Sequence, residues 1–408
     1  MIRTSKSKTK FTAVAFATLK FYKSLCIGLS VVSAILLVFT IPACSQDSLF
    51  FDISNEPEPR SPLITGSPTN IILAMNELFV GSRMGNTIFR YGGTGGNPQW
   101  TTVPSPRGSI ADLATDGENL YALVFPDGNP LASSVIQRFN IAANTWDAEF
   151  TSNLYSIQTI YGAGEKIFAG AMLSSDMQNF AILYLNPSTS SLSVEKQNTS
   201  LLTGAVMDEA GEIFLATAGS GIFKYSDDGG GIEATPESGT ENANISGIIS
   251  TGATIVAVGS NGALFSRDPA GIFSRLTAGI NFTGAMSLWV DRASQWNPSL
   301  LLLGIRGSGS SNNHGYREIQ LDSSGYPILV IRVPGEQSPT SVKNRARYSA
   351  SIGLHPVEAI LQLPDISRGG PIDYSSFSSN PEWEPPIFAG TSRSGLWSYW
   401  DATWNAEQ

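Results

Sequence analysis

The residues that most often do chemistry are scarce in this chain of 408 residues: two histidines, His314 and His355, and two cysteines, Cys26 and Cys44. Neither histidine has a second His or Cys at metal-ligand spacing, so no zinc site is expected. No Gly-x-Ser-x-Gly elbow presents a nucleophile, and no Gly-rich loop ending in Gly-Lys-Ser/Thr cradles a phosphate. Three aspartates, Asp112, Asp208 and Asp291, stand on or just after short apolar runs, where a ring of such runs would bring them to a common axis. Glycoside hydrolysis would need a pair of such carboxylates, or a Tyr nucleophile with an Arg cluster, in one pocket. The expectation is no catalytic residue, no cofactor and no metal.

Two other groups suit binding better than catalysis. Trp383, Trp397, Trp400 and Trp404 crowd the C-terminal end. Exposed tryptophans stack on sugars or anchor a partner, whereas buried ones fill the space between sheets. Lys343, Arg345 and Arg347 form a local basic cluster, suited to an anionic partner or simply to a solvated loop. The run from Gly307 to Asn313 reads as a hairpin tip, and loops on a rigid frame often carry recognition.

The elements that must position these residues are β-hairpins. In Glu212-Ile213-Phe214-Leu215-Ala216-Thr217-Ala218-Gly219-Ser220-Gly221-Ile222-Phe223-Lys224-Tyr225, two apolar runs flank a Gly/Ser turn. The figure returns at Leu78 to Tyr91, Ile255 to Ser266 and Ile387 to Tyr399. A small, mildly apolar strand precedes each hairpin; the seven expected are Ile71 to Asn76, Ile110 to Ala114, Ile157 to Tyr161, Thr203 to Met207, Ser246 to Ile249, Ala285 to Trp289 and Ser349 to Gly353. A weaker segment follows each hairpin and often ends in an aromatic, as at Trp100, Trp146, Phe273 and Trp404. Four strands per unit result.

Central residues of the second strands, Phe79, Tyr121, Phe168, Phe214, Val256, Leu302 and Phe388, are separated by 42, 47, 46, 42, 46 and 86 residues. Units of four antiparallel strands at this period are propeller blades. A lone four-stranded sheet leaves both faces wet; radial stacking buries both. The expected fold is an all-β propeller over residues 63–408 with seven blades, eight or six being the alternatives. The double separation is assigned to an insertion at about 334–386 in the last blade. Ring closure should set the final strand near Trp404 beside residues 63–66 or the first blade. Only 14% of residues are charged, against about 25% in an ordinary soluble domain, which fits many buried strands.

Residues 1–43 carry Arg3, Lys6, Lys8, Lys10, Lys20 and Lys23 and no acid, then an apolar run from Leu25 to Ile41. That is the pattern of an export signal. Its end, Ile41-Pro42-Ala43-Cys44, resembles the lipobox of bacterial lipoproteins, with Pro42 where a small or aliphatic residue is usual. The resemblance implies that Cys44 receives a diacylglyceryl group and becomes the new N-terminus. The rival readings are an uncleaved signal anchor, because the run approaches spanning length, and a conventional signal peptide cut nearby. Cys26 would leave with the signal, and a lone remaining Cys has no partner for a disulfide, which lipidation explains. Residues 44–62, with Glu56-Pro57-Glu58-Pro59, read as an acidic tether. Without the six basic residues of 1–43, 19 basic side chains face 34 acidic ones, a balance of −15. Such a body repels phosphate backbones, so nucleic acid is not an expected partner.

At two hairpin ends the chain resembles the Asp-box of sialidase-like and photosystem-assembly-type propellers: Tyr225-Ser226-Asp227-Asp228-Gly229-Gly230, and Ser266-Arg267-Asp268 with Phe273 in the Trp place. In those families the box ties a turn and does no chemistry. Ile331-Arg332-Val333-Pro334 resembles a sialidase Arg-Ile-Pro signature but stands late in the chain. Together these readings imply a lipid-anchored protein of the bacterial cell envelope whose propeller binds another envelope protein or a glycan, with a glycan-hydrolysing propeller as the alternative. If Cys44 carries the lipid, Cys44→Ser should move the protein from the detergent to the aqueous phase of a detergent partition and leave residues 1–43 uncleaved; unchanged partition would establish the signal anchor instead.

Overall fold

A computed structural model describes residues 64–407 apart from 65–66, 76, 84, 92–99, 130–132, 228–229, 278–280, 291–297, 307–313, 333–351, 353–354, 364–385 and 401–402. The described residues fall within one unit, Ser61–Gln408. They form seven four-stranded antiparallel sheets, each ordered first to fourth in sequence. The innermost strands are β1 (Pro68–Ala74), β5 (Ser109–Thr115), β9 (Tyr155–Ala163), β13 (Leu202–Met207), β17 (Ile245–Ser250), β21 (Asn281–Val290) and β25 (Val357–Gln362). Each is followed by the second, third and fourth strands of its blade, so the four strands of the seventh blade all come from the C-terminal stretch.

The stacking of blades explains why the second strands are apolar on both faces. In β2 (Glu77–Ser82), Leu78 and Val80 pack toward the seventh blade while Phe79 packs toward the second. The same division holds around the ring: each of seven apolar clusters among the described residues straddles one junction between adjacent blades. Strand alternation therefore feeds two interfaces at once. Phe79, Tyr121, Phe168, Phe214 and Phe388, the expected strand centres, are among the largest fully buried side chains.

Turn chemistry repeats along with the strands. Between β14 (Ile213–Thr217) and β15 (Gly221–Ser226), the buried Thr217 hydroxyl accepts from Ser220 N at 3.2 Å and donates to Gly221 O at 2.8 Å. In the last blade, between β26 (Ile387–Thr391) and β27 (Gly395–Trp400), Thr391 accepts from Ser394 N at 2.9 Å and donates to Gly395 O at 3.1 Å. A hydroxyl locked in this way satisfies the turn without water.

Closure joins the first and last blades as the hairpin rhythm required. Leu396 N donates to Ile64 O at 3.1 Å, and Leu396 O accepts from Glu407 N at 3.1 Å. Residue 64 thus continues the row beyond β28 (Thr403–Ala406) along the same edge of β27. Trp100 of β4 (Trp100–Thr102) donates its indole N–H to Glu407 Oε2 at 2.7 Å, and Ser398 bonds the other oxygen. Tyr91 and Trp100 meet Phe388 edge-on at ring separations of 5.7 and 6.1 Å.

Three expectations are corrected. The innermost strand of the last blade is Val357–Gln362 and not Ser349–Gly353. Val357-Glu358-Ala359-Ile360 carries the order apolar, polar, small, apolar that Leu202-Thr203-Gly204-Ala205 and Ile245-Ser246-Gly247-Ile248 carry, and that order proves decisive at the axis. Ile352 instead contributes a fully buried side chain to the junction of the sixth and seventh blades. The stretch 334–386 is accordingly not one uninterrupted insertion, because β25 runs through it. Finally, Trp100, Trp146, Phe273 and Trp404 stand in the first or second position of their fourth strands and do not end them. From there Trp100, Trp146 and Trp404 fold back on Tyr91, Phe139 and Tyr399, at 4.8, 5.1 and 5.3 Å.

A closed ring couples its junctions, so residues 61–408 expressed alone should unfold in one transition by calorimetry. Phe214→Ala should cost about 3–5 kcal/mol, the usual loss for an aromatic deleted from a packed core. Two separable transitions would be incompatible with closure through Ile64 and Glu407.

Candidate binding site at the propeller axis

Every innermost strand breaks its pairing register near its start. The irregularities fall between Pro68 and Ile71, Ile110 and Asp112, Ile157 and Thr159, Leu202 and Gly204, Ile245 and Gly247, Phe282 and Met286, and Val357 and Ala359. A β-bulge re-aims side chains. Here it turns polar residues toward the neighbouring blade, and five junctions are tied by them. Asn70 donates to Leu113 O at 3.3 Å, Asp112 Oδ2 accepts from Ile160 N at 3.3 Å, and Thr159 donates to Leu202 O at 2.8 Å. Thr203 donates to Ile245 O at 2.9 Å and Thr283 to Val357 O at 2.5 Å.

At the fifth-to-sixth junction the backbones themselves touch. A Cβ on Gly247 would lie 2.2 Å from Gly284 O, and one on Gly284, whose φ is +99°, would lie 2.1 Å from Ser246 O. Only glycine fits both places. At the last junction Pro68 presses on Gly390.

Inside this wall is a cleft of about 280 Å³ lined by all seven innermost strands and by Arg83. Its lining comes mainly from the starts of those strands, and Arg83 follows the end of the antiparallel β2, so the cleft opens where the innermost strands begin. Asp112 reaches it, with Oδ1 also accepting from Leu113 N at 2.9 Å. Burial pushes the Asp112 carboxyl up to about 7, against the opposing pull of the two backbone amides and of Arg83. Tyr161, from the next blade, is pushed up by burial and by the Asp112 charge, so its hydroxyl stays protonated. Glu358 on the opposite wall pairs with Arg306 at 3.1 Å.

Of the aspartates singled out from sequence, only Asp112 is placed at the axis. Asp208 sits in a turn, its Oδ1 accepting from Glu212 N at 2.8 Å. Asp291 lies outside the described residues. Asp268, from the second Asp-box-like stretch, ties its turn by accepting from Ala270 N and Ile272 N at 2.9 and 2.8 Å. Asp322 makes the same turn in the next blade with Ser324 N and Tyr326 N at 2.8 and 2.9 Å. Asp227 pairs with Lys166 at 2.7 Å, while Asp228 and Gly229 lie outside the described residues.

The candidate binding tryptophans divide. Trp397 donates to Ser394 O at 2.8 Å and packs, with Trp404, against the cluster between the sixth and seventh blades. Trp404 also meets Tyr316 edge-on at 5.9 Å. Trp400 belongs to β27. Trp383, Lys343, Arg345, Arg347 and Cys44 lie outside the described residues. Arg83, Tyr161 and Glu358 were not singled out from sequence; the repeated apolar-polar-small-apolar tetrad would have flagged Glu358, and nothing local flags Arg83.

No family model matches the sequence, and no curated protein matches it. Among solved structures, the WD40 β-propeller domain of Doa1 aligns with a TM-score of 0.51 at 11% identity, covering 86% of this chain and 97% of that one. At that identity the likeness speaks to the fold, a seven-bladed propeller.

The raised Asp112 pKa makes stability depend on pH with a definite sign. Between about 4 and 7 the folded protein keeps a proton that the unfolded chain, at 3.8, releases, so stability falls as pH rises through that window. Asp112→Asn should flatten the fall in urea midpoint measured from about pH 4.5 to 7.5. A residual slope of the same sign should remain from Glu407, whose burial also raises its pKa.

Proposed function

We propose that the chain is a lipoprotein of the bacterial cell envelope, lipidated at Cys44, in which residues 44–62 tether a propeller that serves as a binding scaffold without catalytic activity. The observation that carries this reading is how the axial wall uses its polar groups. The Thr159, Thr203 and Thr283 hydroxyls and the Asn70 amide are spent on the backbone of adjacent blades. They hold the ring shut and are not aimed at a reacting atom. Asp268 likewise serves its turn, as the Asp-box resemblance implies. A propeller fold suits protein-partner binding, because a closed ring presents broad loop surfaces on a stiff frame. The lipobox resemblance at Ile41-Pro42-Ala43-Cys44 supports the address, and two or more acyl chains would hold stably where one does not. The partner is an envelope protein or a glycan, contacted by residues among which are Trp383, Trp400, Lys343, Arg345 and Arg347.

One observation favours the alternative, a glycan-binding or glycan-hydrolysing propeller. Asp112, held protonated up to about 7, shares the cleft with Tyr161 and Arg83, and a carboxyl of that kind suits a general acid.

Affinity capture with the lipidated chain from envelope extract, run beside a panel of glycoside substrates, separates the two. The scaffold reading expects a stable partner that is lost when residues 364–386 are deleted, with no turnover. Glycoside turnover abolished by Asp112→Asn would replace it with the hydrolase.

A further inference from the structure

We infer that the axial cleft binds a small organic carboxylate, with the Arg83 guanidinium as its main contact and the Tyr161 hydroxyl as a second donor. The inference adds a ligand class to the binding reading above, on which it rests, and it requires neither the lipid anchor nor a protein partner.

The argument is an account of donors and acceptors. The cleft's acceptors are engaged: both Asp112 oxygens take backbone amides, and Glu358 takes Arg306. The Thr159, Thr203 and Thr283 hydroxyls on its wall donate to neighbouring blades, and the Ser246 hydroxyl donates to Val258 O of its own blade. Two donors remain. Arg83 is exposed at the rim and makes no ion pair among the described residues, and the Tyr161 hydroxyl makes no hydrogen bond among them. A ligand that complements the cleft must therefore bring acceptors and negative charge.

The form of that charge follows from what else is present. A guanidinium presents a planar fork that matches a carboxylate in two parallel hydrogen bonds. Arg306 is committed to Glu358, so among the described residues Arg83 is the cation that lines the cleft without an ion pair, enough for a monoanion. Polyanions and polymeric phosphates would also meet the repulsion of the acidic chain. Asp112, the lining carboxyl that the Arg83 charge acts on, holds its proton up to about 7 and so opposes an anion less than an ordinary aspartate. Pro68, Ala205, Ile248, Met286 and Ile360 supply apolar surface beside these donors. The volume of about 280 Å³ is at the small end for ligand sites and suits a molecule the size of one sugar or one amino acid.

The test uses the full-length chain purified in detergent. Sodium glucuronate and sodium propionate are titrated by calorimetry and thermal shift, against glucose and propionamide at matched sodium chloride. At least one acid should bind and raise Tm while its neutral counterpart does not. Arg83→Gln should weaken that binding by about tenfold or more, and Tyr161→Phe by a smaller factor. Arg107→Gln, which alters an exposed arginine outside the cleft, should leave it unchanged. Arg83 is exposed, so its variant should keep the wild-type circular dichroism, which is measured alongside. No titration by either acid up to ~10 mM, a range that would reveal even millimolar binding, overturns the inference. So does unchanged affinity in Arg83→Gln. Equal binding of glucose and glucuronate overturns the carboxylate requirement and points to sugar recognition. Failure here leaves partner capture untouched, and failure of partner capture leaves this result untouched.

Discussion

Seven strands must meet around one axis close enough for their backbones to touch, and the rest of the structure depends on how that crowding is solved. A flat strand would point every second side chain into its neighbour. The register break at the start of each innermost strand avoids this, at five of the junctions by turning a short polar side chain sideways, where it finds a backbone group on the next blade. Where no such side chain does the work, glycine allows direct contact, as at Gly247 and Gly284. Each of these hydrogen bonds contributes about 1 kcal/mol net, but leaving its buried partner unmet would cost about 1–3 kcal/mol. The ring of ties therefore guards against sliding more than it adds stability. Bulk stability comes from the seven apolar junctions, which the second strands feed from both faces.

The closing junction is made differently from the rest, for a reason that follows from chain topology. The chain must leave the last blade without a covalent link to the first, so the seam has to be held by side chains and by residue 64. Three aromatic rings supply area, and Glu407 accepts from the Trp100 indole of the first blade. A carboxylate there is costly to bury, as its raised pKa shows, and the cost is offset only while both donors are in place. The seam is thus specific as well as sticky: a shifted final strand would leave a buried charge without its partners.

Much of this was legible in the sequence because second strands, buried on both faces, are continuous apolar runs at a regular spacing. Phe79, Tyr121, Phe168, Phe214 and Phe388 mark the ring by themselves. The innermost strand of the last blade is not legible from apolar content alone: Ile352 is buried, but in a junction and not in an innermost strand. The tetrad at Val357 would have settled the matter, since it alone carries the polar residue where the bulge requires one. Asp112 could be read as a residue near the axis; its fellowship with Arg83 and Tyr161 could not. They come from two other blades, and only the curvature of the ring, which no local pattern encodes, brings them to the same cleft.

The tryptophans show the same division between repeat and exception. Trp100, Trp146 and Trp404 occupy equivalent places, each folded on an aromatic of its own third strand. A residue type that recurs at one structural position is accounted for by packing at that position. Recognition has to be sought in what does not recur: Arg83 has no counterpart in the other blades except Arg306, and Arg306 is already paired. The chain's excess length is likewise confined to two connections flanking β25, 333–356 and 363–386, while most others are short. A ring of near-equivalent blades can be specific for a ligand only where its symmetry is broken, and in this chain the breaks are the Arg83 rim and the connections around the last innermost strand.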